Sequence, residues 1–451
     1  MGLPAMPYLI VSFLILSWPF INFPLTDGDI EHWVKIATSV RVQNLFLTGP
    51  HDQAHGPLLS WTGGLLAHLH PTSFYLYACF SIVMGLLGVF WTYYFSQKFW
   101  KNTSLSKLCT FVFSTNIAFI YLSRTPMYDW PAAIFYFGFC GFYTLFIKEH
   151  KYSFLILSLF CLSVGSLSRF SISLGLGIGY IAGAQLILNR KKGLKNIIKD
   201  IFLITLTVCC INAAWIWGQY TTHGIAFLEE FFYDNIGRYL REPGNSTIHH
   251  DYYGFVVYAL IALLPYSPWF LASILQKKFL QTLKSDTWVQ LLGIAWLPCL
   301  VIFSFSGHVK LGRYIAYIVP SLSLFMSYLL FQDIQNTAYT QKVKRLMRVI
   351  LSLLIALLVY EGFHFNTESL SSVPLVISVV WVIFGGLLWA YYTLVINPKK
   401  FLASPEKYLY GFIILYFVFF TVLSYESLHA PFLVETRSKL LSIIQNNSSL
   451  E

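Results

Sequence analysis

Charge is what this sequence has least of: Lys, Arg, Asp and Glu together make up 11% of its 451 residues. Apolar residues account for 56% and aromatics for 18%, and the mean hydropathy is +0.62. No soluble core hides that much apolar surface. A water-soluble multidomain protein is therefore excluded, and a bilayer has to act as solvent. The apolar runs also lack the period-two alternation of barrel strands, which leaves helices as the spanning element. The chain has no Cys-x-x-Cys pair, no P-loop and no glycine-rich nucleotide fingerprint. Its seven cysteines all fall inside apolar runs, where they act as small packing residues and supply no disulfide framework.

Thirteen runs are long enough to cross roughly 30 Å of hydrocarbon as helices. They are 5–25, 73–96, 106–123, 129–147, 152–168, 170–189, 201–219, 253–275, 287–305, 314–332, 349–365, 373–396 and 408–426. MGLPAMP carries no basic residue and no small-residue cleavage pattern follows the first run, so that run is expected to stay as an uncleaved anchor. With the N-terminus inside, the cytoplasmic junctions hold twenty of the thirty Lys and Arg residues and only five of the twenty acids. The positive-inside bias thus predicts a cytoplasmic N-terminus and a C-terminus on the outer side. The formal charge of +10 is then a topology signal and gives no reason to expect nucleic acid as a partner. None of the cytoplasmic junctions is large enough to form a catalytic domain.

Chemistry-bearing residues gather on the other side. The two longest connections, 26–72 and 220–252, are both predicted to be outside, as are eleven of the twelve histidines. Four constellations stand out. TDGDIEHW (26–33) sets Asp27, Asp29 and Glu31 at an apolar boundary, where unpaired carboxylates are costly unless they serve as bases or ligands. Asp27 or Asp29 also suits an N-cap ahead of IEHWVKIA. RTPMYDWPAA places Asp129 at the start of a span, where capping is again the plain alternative. YDNIGRYLREPGNSTIHHDYY mixes Asp234, Arg238 and Arg241 with His249, His250 and Asp251. Guanidinium groups there suit bidentate capture of a phosphate, and the His-His-Asp run is a weak metal candidate; ordinary juxtamembrane charge is the alternative. In SGHVKLGRY, Lys310 and Arg313 lie where the charge bias disfavours cations, which an anionic lipid phosphate or pairing with acids would explain.

In this order, the residues resemble the GT-C membrane glycosyltransferases, and within them the bacterial lipid A aminoarabinose transferases and the related protein mannosyltransferases. DIEHWVKIA takes the place of that family's Asp-Glu-x-Arg-Tyr-Ala motif after the first span, with Asp29 as its leading aspartate. HGPLLSW (55–61) stands for a Lys-Pro-Pro-Leu-x-x-Trp segment, and MYDWPAA for a Leu-Asp-x-Pro joint. FFYDNIGRYL matches an Asn-x-x-Arg-Phe stretch through Asn235 and Arg238, and SGHVKLGRYIAYIVP matches Ser-x-Lys-Leu-x-Arg-Tyr through Lys310, Arg313 and Tyr314. The departures are Ile30 and His32 for the first motif's Glu and Arg, His55-Gly56 for Lys-Pro, and Ala54 for the acid before them. The family's larger C-terminal periplasmic domain is not expected in the short stretch after the last span.

The resemblance implies an all-α, polytopic integral membrane protein of GT-C type with outer juxtamembrane helices. Residues 1–426 would form the transmembrane glycosyltransferase domain, with 26–72 and 220–252 as outer catalytic loops and 427–451 as a short periplasmic tail. It further implies an inverting transfer of a sugar from a polyprenyl-phosphate donor to lipid A, a glycan or a protein at the periplasmic face of the inner membrane. Asp29, with Asp129 as the alternative, would be the catalytic carboxylate. Asn235, Arg238, Arg241, Lys310, Arg313, Tyr314 and a protonated His55 would bind substrate. A divalent metal ion has its candidates in Asp52, His249, His250 and Asp251; no nucleotide or covalent enzyme intermediate is required. Two other classes fit many spans with polar groups at the rim: a transporter or flippase, and a ligase or polymerase of lipid-linked glycans. The chain shows no internal repeat of the transporter kind.

Overall fold

A computed structural model describes residues 5–17, 56–67, 74–188, 193–233, 254–264, 266–274, 277–305, 312–335 and 398–403, with isolated positions 235, 349, 352, 405 and 408. Every regular element among these residues is helical, and the fold is that of a polytopic membrane protein. Five helices are long and apolar enough to cross a membrane: Cys79–Trp100, Asp129–Glu149, Phe170–Leu188, Leu194–His223 and Thr287–Ser304. The helix Tyr152–Ser166 is shorter and also apolar. Of the spans expected from sequence, 349–365, 373–396 and 408–426, like the 427–451 tail, lie outside the described residues save for single positions.

The helix Asp129–Glu149 forms the axis of the fold. Almost all of its residues are buried, and each of the other four span-length helices leaves more of itself exposed. Its GFCG stretch explains the close packing. A Cβ on Gly138 would meet the Trp91 ring at 2.4 Å, and one on Gly141 would meet the Phe95 ring at 2.3 Å. Two large aromatics of the Phe74–Trp100 helix therefore sit directly against backbone. Trp91 and Phe95 in turn make edge contacts with Phe142, at 5.9 and 5.0 Å between ring centroids. In lipid there is no hydrophobic drive between helices, so such shape fit supplies the association energy.

Three spans read as continuous are interrupted, each by local backbone chemistry. The 106–123 run splits into Thr103–Thr115 and Ile117–Leu122 at Asn116, whose backbone is extended. Asn116 Oδ1 accepts from the Phe119 N–H at 2.7 Å, while its Nδ2 donates to the Phe113 and Val112 carbonyls at 2.7 and 3.2 Å. One amide thus satisfies the end of one helix and the start of the next. The 253–275 run splits into Gly254–Ala262 and Ser267–Ile274 around LLPYSP, where proline removes backbone donors. The 314–332 run begins as the 3-10 turn Gly312–Tyr317 and becomes an α-helix only at Val319–Gln335. By contrast, the 201–219 run is longer than expected. Its helix, Gly193–His223, absorbs Lys195 and Lys199, both good helix formers.

Filling the glycine notch tests the axis. Gly141→Val places two methyl groups in space held by the fully buried Phe95 ring, which is itself enclosed by Phe99, Phe137 and Phe142. Overpacking of this kind costs about 1–3 kcal/mol. The thermal unfolding midpoint in detergent is expected to fall; an unchanged midpoint would mean that the two helices are not in contact at this point.

Candidate active site

The axial helix carries Asp129 at its first turn. The cap residue before it, Tyr128, makes no side-chain cap bond, and Asp129 is 1% exposed. Its carboxylate is turned to Arg169: Nε donates to Oδ1 at 3.1 Å and Nη2 to Oδ2 at 3.4 Å. This is a side-on pair with one guanidinium edge across both carboxylate oxygens. Arg169 is itself 5% exposed, and its guanidinium carbon lies 5.9 Å from the centre of the Tyr128 ring. Two buried charges taken from water need each other.

Arg169 belongs to a turn, 167–171, made of the joint 167–169 between the helices Tyr152–Ser166 and Phe170–Leu188 and the first two residues of the second helix. Other segments close on the same turn. Ser168 Oγ donates to the Tyr128 carbonyl at 2.7 Å. The Leu58 N–H donates to the Leu167 carbonyl at 3.0 Å, and Gly56 approaches the same carbonyl with φ at +108°. A Cβ at Gly56 would lie 2.4 Å from that oxygen. Both the angle and the contact require glycine. Asn235 Oδ1 accepts from the Ser171 N–H at 3.3 Å, and its Nδ2 donates to the Phe231 carbonyl at 2.9 Å. Beside the turn, Phe170 meets Phe231 at 5.7 Å in a cluster with Trp215 and Phe227, onto which Trp61 packs.

The structure thus brings together three of the sequence marks: the HGPLLSW segment, Asp129 and Asn235. Tyr314 is buried in the main core, stacked on Phe303 at 5.0 Å, in the 3-10 turn that packs against the axial helix. Arg313 falls in the 3-10 turn Gly312–Tyr317. Asp29, Asp52, His55, Arg238, Arg241, His249, His250, Asp251 and Lys310 lie outside the described residues. Among the described residues no three His, Cys, Asp or Glu side chains come together as a metal site. Capping was the plain alternative for Asp129; its carboxylate instead holds an arginine. Arg169 itself carries no motif. The one signal it offers is its place, a lone base in the joint SLSRFS between two spans, on the side that the charge bias leaves poor in cations.

No family model matches the chain, and no curated protein sequence matches it. Two solved structures do. The crystal structure of ArnT from Cupriavidus metallidurans bound to undecaprenyl phosphate is similar over 92% of this chain and 75% of that one, at 15% identity and a TM-score of 0.71. The same protein in the apo state is similar over 92% and 74%, at 13% identity and a TM-score of 0.70. The chain shares the ArnT fold, in agreement with the GT-C architecture expected from its motifs.

The pair makes a stability prediction. Asp129→Ala leaves the Arg169 charge buried without its partner, a change that costs about 3–5 kcal/mol. Neutralising both, as Asp129→Leu with Arg169→Met, is expected to recover most of that loss. Unfolding free energies in mixed micelles measure it; a single variant as stable as the parent would show that the two charges are not buried together.

Proposed function

We propose that the protein is an inverting glycosyltransferase that moves a sugar from a polyprenyl-phosphate donor to an acceptor at the periplasmic face of the inner membrane. The observation that carries this reading is the convergence of Gly56, Leu58, Asp129 and Asn235 on one turn, in a fold shared with a protein crystallised with undecaprenyl phosphate. Three segments far apart in sequence, each matching one motif of the same family, meet at the rim where the charge bias places the outside.

The reaction asks for few parts. An acceptor hydroxyl or amine attacks the anomeric carbon, the bond from that carbon to the phosphate oxygen breaks, and the phosphate leaves with the electron pair. The acceptor's proton passes to a carboxylate. A single displacement inverts the anomeric centre. Cations held near the leaving phosphate stabilise its growing charge, and Arg238, Arg241, Lys310, Arg313 and a protonated His55 are the proposed set. Asp29 is the proposed base. Asp129 has a different role, since both its oxygens face Arg169, and it anchors the site. Lipid A, a glycan or a protein each supplies a suitable nucleophile. If a divalent metal binds, Asp52 and the His249-His250-Asp251 run would hold it and add positive charge near the phosphate.

Purified protein given radiolabelled polyprenyl-phosphate sugar and an outer-membrane lipid or glycan extract is expected to move label into the acceptor fraction. Label that crosses a vesicle membrane unchanged would indicate a flippase instead. Asp29→Asn is expected to abolish transfer with expression and folding intact, since it deletes a charge at constant shape; normal turnover would remove Asp29 as the base. Arg238→Ala is expected to weaken donor use roughly ten- to a hundredfold, as for loss of one charge-assisted hydrogen bond. An unchanged donor KM and kcat would remove it from the phosphate set.

A further inference from the structure

We propose that the 167–171 turn is the positioning element of the donor pocket, with Arg169 as its positioning residue. The inference rests on the proposed function, in which this rim takes a polyprenyl phosphate, and deepens it.

The turn is small, yet three distant parts of the chain engage its residues. The Leu167 carbonyl accepts from the Leu58 N–H, and it fills the space that a side chain on Gly56 would need. Ser168 and Arg169 fasten the turn to Tyr128 and Asp129, at the start of the axial helix. Phe170 packs on the Phe231 ring, and the Ser171 N–H binds the Asn235 side chain. The partners are close in sequence to proposed phosphate ligands: Gly56 follows His55, and Asn235 precedes Arg238 by three residues. A shift of the turn therefore shifts both segments that carry those cations.

The side-on ion pair fixes the turn in a way a single hydrogen bond does not. Two parallel contacts define the plane and direction of the guanidinium as well as its distance. The pair is almost fully buried, so solvent offers neither partner a substitute. The Gly56 contact is equally unforgiving, for a side chain there would collide with backbone and not with a movable group. These are the features of a rigid jig. A displacement of about 1 Å between reacting groups is enough to cost roughly a hundredfold in rate.

The test measures affinity for undecaprenyl phosphate in nanodiscs, alongside thermal stability. Wild type, Gly56→Ala, Asn235→Ala, Arg169→Lys and the Gly56→Ala/Arg169→Lys double variant are compared. Tyr143→Phe is the control. It removes a 2.7 Å hydrogen bond to Asp200, at the far end of the same axial helix, about 21 Å along its axis from Asp129. Each turn variant is expected to bind at least tenfold more weakly, with the double variant losing less than the sum of its parts because both changes act through one element. Tyr143→Phe is expected to lower stability and leave affinity unchanged. If Arg169→Lys fails to fold, Gly56→Ala and Asn235→Ala, which alter no charge, decide. Folded turn variants that bind within twofold of wild type would overturn the proposal, as would an equal loss of affinity in Tyr143→Phe. Failure of the wild type itself to bind would instead defeat the donor reading on which the proposal rests.

Discussion

Two opposite charges, on Asp129 and Arg169, lie nearly without exposure at the rim of a helical bundle, and the rim's geometry follows from the need to keep them together. Inside a membrane protein, an isolated charge is among the costliest groups to bury. Pairing lowers that cost only where the geometry is good and the remaining donors and acceptors are met. Here the demand is answered by shape: the arginine comes from a tight joint between two helices, and the aspartate comes from the first turn of the most enclosed of the span-length helices. Once those two residues are fixed, the backbone around them has little freedom. Segment 56–61 then has a carbonyl to dock on, and Asn235 has an N–H to accept from.

The opposite end of the bundle solves the same problem with weaker groups. Gln185 Nε2 and the Tyr143 hydroxyl both donate to Asp200 Oδ2, at 2.6 and 2.7 Å. In another part of the fold, Asp333 accepts from the Trp269 indole at 3.1 Å and the Ser273 hydroxyl at 2.7 Å. These carboxylates are met by neutral donors, and they tie helices side to side. Between the two ends, the bundle is held by aromatic rings pressed on glycine and on one another. The helices are thus clamped at both ends and packed closely in the middle, which suits a scaffold that must hold a rim in register.

Much of this architecture was legible in the sequence because bilayer spans announce themselves by length and apolarity. The runs at 129–147, 152–168, 170–189 and 287–305 became helices within a few residues of their expected limits. What escaped was where hydropathy is blind. Asn116 sits inside an apolar run, and nothing in a hydropathy average distinguishes an asparagine that caps a helix from one that faces a neighbour. The candidate site was legible in its motifs and illegible in its centre. Asp129 and Asn235 stood out by pattern, whereas Arg169 occupies a joint too short to look like a loop. Its partner is 40 residues away, so the pair exists only in three dimensions. Gly56 shows the reverse. As a departure from Lys-Pro it looked like a weakened motif, but a φ of +108° is one that proline, fixed near −65°, never adopts.

The buried pair also bears on why the proposed site has two aspartates. A base has to meet a proton on a mobile acceptor, so it needs an oxygen within hydrogen-bond reach of the incoming nucleophile. A carboxylate laid edge to edge on a guanidinium has both oxygens engaged, and freeing one would expose a buried charge. Anchoring and proton transfer therefore conflict in a single residue. Dividing them lets Asp129 hold the turn still while Asp29, in the proposed reaction, remains at liberty to take the proton. The order of the chain fits this division: the anchor starts a helix that is almost wholly enclosed, and the proposed base belongs to the long segment 26–72, outside the apolar runs.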